Sequence, residues 1–340
     1  GPKDINAGDK LKEPLIGVLT YDTKGNRYQV ETDSVQVSAG SLTPEHNTSK
    51  ANQGELSIAT FNVENLLPKD QKFKKLSQQI VFNLSLPDII ALEEVGDNSG
   101  KKDDSVVKAD QTYQELINAI KDNSGVVYRY TSIDPLNNKD GGATGYNIRV
   151  GILYRIDRGL QLVDRPGGDA TSLTTIMADD HGKPHLSFSP GRIDPLNPAF
   201  DSSRKPLAAE FIYNNSSLFV IANHLNSKGG DQPIYGANQP PYRPTENQRH
   251  KQAQVIKSFV EDVLRANPDA NVIVLGDLND FQFSETINIL KAAGLTDVIE
   301  SLPADQQYTY IHEGNSQVLD HILLSKNLTK TGFETDVVHI

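Results

Sequence analysis

The stretch Asn271-Val-Ile-Val-Leu-Gly-Asp277-Leu-Asn279-Asp280-Phe281 holds the residues best suited to chemistry. Four β-favouring residues, 272–275, give way to Gly276 and then to Asp277 and Asn279, a carboxylate and a carboxamide two positions apart. Residues so spaced on an extended chain point to one side. Just past a buried strand they would face a common crevice, able to hold a phosphate, a nucleophilic water or a metal. Gly, Asp and Asn are also the ordinary residues of a solvated turn. The turn reading loses ground because the pattern recurs: other apolar runs end in Asn62 and Glu64, in Glu94, in His224 and Asn226, and Asp320 opens another.

Carboxylates, carboxamides and one imidazole suit a hard cation such as magnesium, manganese or calcium. They also suit phosphoester hydrolysis, in which a carboxylate takes a proton from water and Asn or His donors stabilise charge at phosphorus. A lone His on a strand is more often structural, so His224 draws its catalytic reading from these neighbours. Glu93 and Glu94 are adjacent, and strand alternation predicts that only one enters the site.

The elements that must position these groups alternate. Residues 56–65 read as a strand ending in polar groups. Phe73, Leu76, Ile80 and Leu84 lie at helical spacing, 87–95 reads as a buried strand, and Tyr113, Leu116, Ile117 and Ile120 mark a second helix. Further strands are expected at 126–130 and 149–156, and a hairpin at 207–213 and 218–223 across Asn214-Asn215. A long polar loop, 227–244, then leads to Thr245-Glu-Asn-Gln248, which reads as a capping box, and to a helix buried through Ala253, Ile256, Val260, Val263 and Leu264. After the Asp277 strand come a helix over 284–293, with Gly294 as its C-cap, and a last clear strand at 319–324. Residues 164–201 read as irregular. The acidic stretch 97–104 lacks the ordered ligand spacing of a calcium loop and reads as a solvated connection. Strands alternating with helices, with a hairpin among them, predict an α/β fold of mixed sheet with helices outside.

Composition sets bounds. The 340 residues carry a net charge of −11 and no cysteine, which excludes disulfides and thiolate chemistry. A protein gripping nucleic acid through its own surface is usually basic, so a polyanionic substrate here calls for cations held by carboxylates. No apolar run reaches membrane-spanning length. Gly1-Pro2 resembles a protease scar, so a signal peptide is presumed removed. Residues 1–50 read as a short β-segment and linker, too few for an independent core, and 51–340 as the main domain.

Six motifs in order carry a resemblance: Thr60-Phe-Asn62-Val, Ala91-Leu-Glu-Glu94-Val, Gly145-Tyr-Asn-Ile-Arg149-Val-Gly, Asn223-His224-Leu-Asn226-Ser-Lys-Gly, Gly276-Asp277-Leu-Asn279 and Leu319-Asp320-His-Ile-Leu-Leu-Ser325. Over residues 55–340 the chain resembles the endonuclease/exonuclease/phosphatase superfamily, and Arg192-Ile-Asp-Pro and Arg204-Lys-Pro-Leu look closest to bacterial extracellular and membrane nucleases of the deoxyribonuclease I-like branch. The resemblance implies a four-layer αββα sandwich of two mixed sheets. It implies that Asn62 and Glu94 hold the metal, with Glu64 where some members place a second acid. It further implies that His224 contacts the scissile phosphate, Asp277 orients or deprotonates water, and Asn279 supports both. Asp320 resembles an acid that orients a catalytic His.

Asn226, Arg149, Lys228 and Arg249 are the expected substrate contacts, Lys228 and Arg249 through nucleic-acid phosphates. For these two a solvated loop and helix start is the competing reading. In such relatives an oligonucleotide-binding-like domain often precedes the catalytic one, and residues 15–37 resemble its tail. Family members finish with a Ser-Asp-His strand. This chain stops at Val338-His339-Ile340 before that motif, so the expectation is a chain shortened relative to its native form. Deoxyribonuclease I carries a Glu beside the position of Arg149 to partner its first catalytic His. Ile148 stands there, so His224 is expected to lack that partner.

The expected function is metal-dependent hydrolysis of DNA, with RNA as a further substrate, by a secreted or cell-surface monomer. The alternatives are a phosphatase or phospholipid phosphodiesterase on the same scaffold, and a catalytically dead binding module.

Overall fold

The computed structural model describes all residues except 1–4, 6–7, 41–44, 313, 331 and 340. Gly1-Pro2, part of the expected linker and Ile340 therefore lie outside the described residues. Two mixed sheets face each other. The first runs Ile58–Leu66, Ile89–Val95, Arg149–Arg155, Tyr128–Ser132. The second runs Gly191–Arg192, Leu207–Tyr213, Ser216–His224, Asn271–Asp277, Asp320–Ser325, Leu295–Asp297, with Gln161–Leu162 also paired to Leu207–Tyr213.

Strand alternation builds the layers. Ile89 and Ala91 enter the core between the sheets, while Ile90 and Leu92 pack under helices Lys72–Gln78 and Asp110–Ser124. On the Asp277 strand, Ile273 and Leu275 face the inter-sheet core, and Val272 and Val274 face helices Glu246–Ala266 and Glu285–Lys291. The order is helix, sheet, sheet, helix: the expected four-layer sandwich. Each fully buried Ile or Leu contributes about 2 kcal/mol relative to exposure. The expected hairpin closes through Asn214 and Asn215, both at positive φ (48° and 61°), as a tight two-residue turn requires.

Two local expectations are corrected. Thr245 has helical backbone angles and makes no cap bond with its side chain. Its Oγ1 instead accepts a 2.7 Å bond from Arg249 Nη1, and Gln248 Nε2 donates to the carbonyls of Ala199 and Asp201. The capping box fails because a buried guanidinium takes the hydroxyl first. The 97–104 connection is not simply solvated either. Asp97 is fully buried, accepting from the amide and hydroxyl of Ser99 and from Asn147 Nδ2.

Register then sets the site. In the second sheet His224 lies opposite Asp277 across a parallel pair, and Asp277 lies opposite Asp320 across an antiparallel one. In the first sheet Asn62 lies opposite Glu93. The strands thus bring His224, Asp277 and Asp320 into one row and turn Asn62 towards it.

Candidate active site

Asn62 joins the two sheets. Its Nδ2 donates 3.1 Å bonds to Glu94 Oε1 on its own sheet and to Asp277 Oδ2 on the other, and its Oδ1 accepts from the Glu64 amide. His224 Nε2 stands 3.8 Å from Asp277 Oδ2 and 4.0 Å from Glu94 Oε1. Asn279, at φ +52°, donates its amide to Asp277 Oδ1 and its Nδ2 to the Leu225 carbonyl. That carbonyl also accepts from Arg204 Nη2, so the residue after His224 is clamped from two sides. Gly276 is required behind this turn: its φ is +136°, and a Cβ there would lie 2.0 Å from the Asn223 carbonyl oxygen.

Of the adjacent pair, Glu94 is the acid that makes contacts in the site, and it does so through a bulge rather than through regular strand alternation. Glu94 adopts φ +65° at a bulge where the register shifts between residues 92 and 95. The bulge breaks strict alternation. Glu94 reaches Asn62 and His224, while Glu93, fully buried, accepts from Thr60 and leaves Oε2 without a partner. The charges of Asp320 and Asp277 both reach Glu93: burial first, then these two, pushes its carboxyl well above the usual range.

Several predicted residues sit elsewhere. Arg149 is 1% exposed and committed to Asp134 Oδ1 at 2.6 Å and to the Asn147 carbonyl, so it is placed as a buried structural cation. Arg249 is likewise fully buried, tied to Asp280, Asp231, Thr245 and the carbonyls of Asn226 and Ser227. It holds the loop after His224 against the turn after Asp277 rather than facing phosphates. Removing it strands the buried Asp280 carboxylate, so Arg249→Leu is expected to cost about 3 kcal/mol in denaturant unfolding. A loss under about 1 kcal/mol would show that Lys228 and Thr286 suffice for Asp280. Lys228 is partly exposed, 2.8 Å from Asp280 Oδ1. Asn226 is half-buried, with its amide donating to Gln252. Glu64 is exposed at φ +52°, beyond the cluster. His321 is buried between Asp297 and the Asp280 carbonyl and is a structural tie.

The electrostatics are lopsided. Glu93, Glu94, Asp277 and Asp320 converge, and the charge of the Arg204 guanidinium reaches Asp277 and Glu94. Burial and then the charge of Asp320 push the Asp277 carboxyl up to about 7. Burial likewise raises Asp320. His224 is held well below the usual imidazole range by burial and then by Arg204, so it is neutral. Its Nδ1 is buried with no hydrogen-bond partner among the described residues. Sequence reading singled out Arg204 only as part of a motif. A lone Arg in an irregular segment carries no spacing signal, and its place shows only when the hairpin folds it under Leu225.

The donor set fits a hard divalent cation. Glu94 and the Asn62 carboxamide supply oxygen, and the excess of buried carboxyls needs positive charge. Glu246, His250 and Asp280 form another group with ligand atoms within 4.8 Å of one another. Asp280 there is already paired with Lys228 and Arg249, which leaves that group the poorer candidate.

A model of the Endonuclease/Exonuclease/phosphatase family matches residues 59–339. Among solved structures, the chain is similar to a humanised D. rerio TDP2 with 14 mutations: 20% identity, TM-score 0.46, covering 81% of this chain and 84% of that one. It is also similar to an endonuclease/exonuclease/phosphatase family protein of Leptotrichia buccalis (16% identity, TM-score 0.48, 80% and 88% covered). A β-hairpin deletion mutant of Staphylococcus aureus beta toxin is a third (16%, 0.46, 84% and 92%). No curated protein matches by sequence.

Proposed function

The chain belongs to the endonuclease/exonuclease/phosphatase family, and on that premise we propose that it is a metal-dependent phosphodiesterase hydrolysing nucleic acid. DNA is the expected substrate, with RNA also accepted. The observation that carries this is the joining of Asn62, Glu94, His224 and Asp277 across the two sheets.

Asn62 and Glu94 would hold the cation, magnesium or manganese with calcium as a third candidate. When bound it supplies charge neutralisation at the phosphate. The chain's own residues do the rest. Asp277, fixed through Oδ1 by the Asn279 amide, is aimed by Oδ2 into the cleft and accepts the proton of the attacking water. His224 is neutral and faces the same point with Nε2, where an N–H donates to a phosphoryl oxygen. Asn279 keeps Leu225, and so His224, in place. Asp320 raises the proton affinity of Asp277. Glu64 and Asn226 line the approach.

Cation binding is expected to raise the melting temperature by a few degrees in excess magnesium or manganese, since a ligand of the folded state alone stabilises it. Glu94→Gln should remove most of that rise. An unchanged rise would place the cation elsewhere, with the Glu246, His250 and Asp280 group next in line.

The kinship to bacterial extracellular nucleases, a secreted or cell-surface location and a monomeric state belong to the same proposal. Residues 1–50 are read as the tail of an oligonucleotide-binding-like domain and 51–340 as the catalytic domain. The hairpin Val18–Asp22 and Arg27–Glu31 supports this, since it leaves Ile16, Val18 and Leu19 exposed. The substrate class is tested by comparing initial rates on DNA and RNA oligonucleotides, p-nitrophenyl phosphate and sphingomyelin vesicles. Diester cleavage in the oligonucleotides should dominate. Faster turnover of the phosphomonoester or the lipid would replace this reading with a phosphatase or phospholipid one.

A further inference from the structure

The turn that follows Asn279 carries a largely exposed aromatic ring. Phe283 is 73% exposed, whereas Phe281 two residues earlier is 8% exposed, and their rings stack at 5.4 Å between centroids with planes 29° apart. Lys228 Nζ lies 4.2 Å from the centroid of the Phe281 ring. The same ammonium is 3.4 Å from the Asn279 carbonyl and 2.8 Å from Asp280 Oδ1. An unbroken series of contacts thus leads from Asn279, beside the proton acceptor, through Lys228 and Phe281 to Phe283. Gln282 holds the segment from the other side through Gln307.

A single exposed apolar side chain is ordinary. This one differs because its ring is oriented by a buried ring beneath it, which Lys228 links to the Asn279 carbonyl. Its sequence neighbours, Gln282 and Ser284, are polar. A flat ring, pre-oriented and tied by this series of contacts to the proposed phosphodiester site, suits the face of a nucleobase.

We infer that Phe283, stacked on Phe281, is a base-stacking platform that binds an unpaired nucleobase flanking the scissile phosphate. This rests on the nuclease reading and narrows it to substrates with accessible base faces, meaning single strands, ends and locally opened duplexes. Phe283 binds and orients, and takes no part in proton transfer.

The test compares wild type, Phe283→Ala and Phe283→Trp on two short single-stranded oligonucleotides with magnesium. One has ordinary bases, and the other has abasic residues on both sides of the cleaved linkage. Phe283→Ala should raise KM for the ordinary strand roughly five- to a hundredfold, the range for loss of one stack. Phe283→Trp should restore it, and KM for the abasic strand should not move. An equal KM for wild type and Phe283→Ala on the ordinary strand would overturn the platform while leaving the nuclease intact. An equal rise on both strands would overturn it as well. Cleavage of neither strand by wild type would overturn the nuclease reading and the platform with it. Weaker binding of Phe283→Ala to phospholipid vesicles, with oligonucleotide KM unchanged, would give the ring to a membrane instead.

Discussion

Asp277→Ala is expected to lower kcat on a DNA substrate by about a thousandfold or more with little change in KM, because it removes the proton acceptor and leaves the substrate contacts. A loss under about tenfold would move that role to another carboxyl. The pH dependence follows from the same group. In the metal-free chain burial and Asp320 raise its carboxyl to about 7; a cation on Asn62 and Glu94 lowers it, and only the ionised form accepts a proton, so kcat/KM should climb with pH and level off below that value. Asp320→Asn removes the neighbouring charge and should shift that climb to lower pH. Stability runs the other way. The folded state holds the Asp277 proton more tightly than the unfolded chain, whose Asp titrates near 3.8. Stability is therefore lost as pH rises from about 4 through about 7. In chelator, unfolding free energy should fall over that window for wild type and fall less for Asp277→Asn.

His224→Ala carries the second largest expected effect, a fall in kcat of about a hundredfold to a thousandfold, the range for one preorganised donor at a developing charge. The imidazole is neutral because burial and Arg204 hold its pKa well down, so the climb in rate with pH belongs to Asp277 and should keep its midpoint in His224→Gln. A shifted midpoint would mean that His224 titrates in the working range. Because Nδ1 has no hydrogen-bond partner among the described residues, the ring is oriented by backbone register and by the clamp on Leu225. Arg204→Lys, which loses that Nη2 contact, should lower kcat in the same direction through positioning alone.

Much of this was legible beforehand, for reasons that can be named. Strands 89–95 and 271–277 carry unbroken apolar runs, so their burial on both faces was legible from composition and length. Asn62 near the end of strand 58–66, His224 at the end of 216–224, and Asp277 and Asn279 at and just past the end of 271–277 could be singled out from type and position. Glu93 could not be placed, because a bulge at Glu94 is invisible to a pattern that assumes regular alternation. Arg149 and Arg249 were expected to meet substrate, a role that needs them accessible, as most arginines are. Their burial depends on Asp134, Asp231 and Asp280, which reach them only through the tertiary fold. The capping motif at Thr245 failed for a related reason: a local rule was outcompeted by a distant charge network.

The most direct test of the whole account is nicking of supercoiled plasmid by this chain with magnesium, manganese or calcium, against chelator and Asp277→Ala. The account predicts conversion to relaxed circles that requires a divalent cation and vanishes with chelator or with loss of Asp277. Nicking that persists in chelator or in Asp277→Ala, or its absence with all three cations, would contradict it.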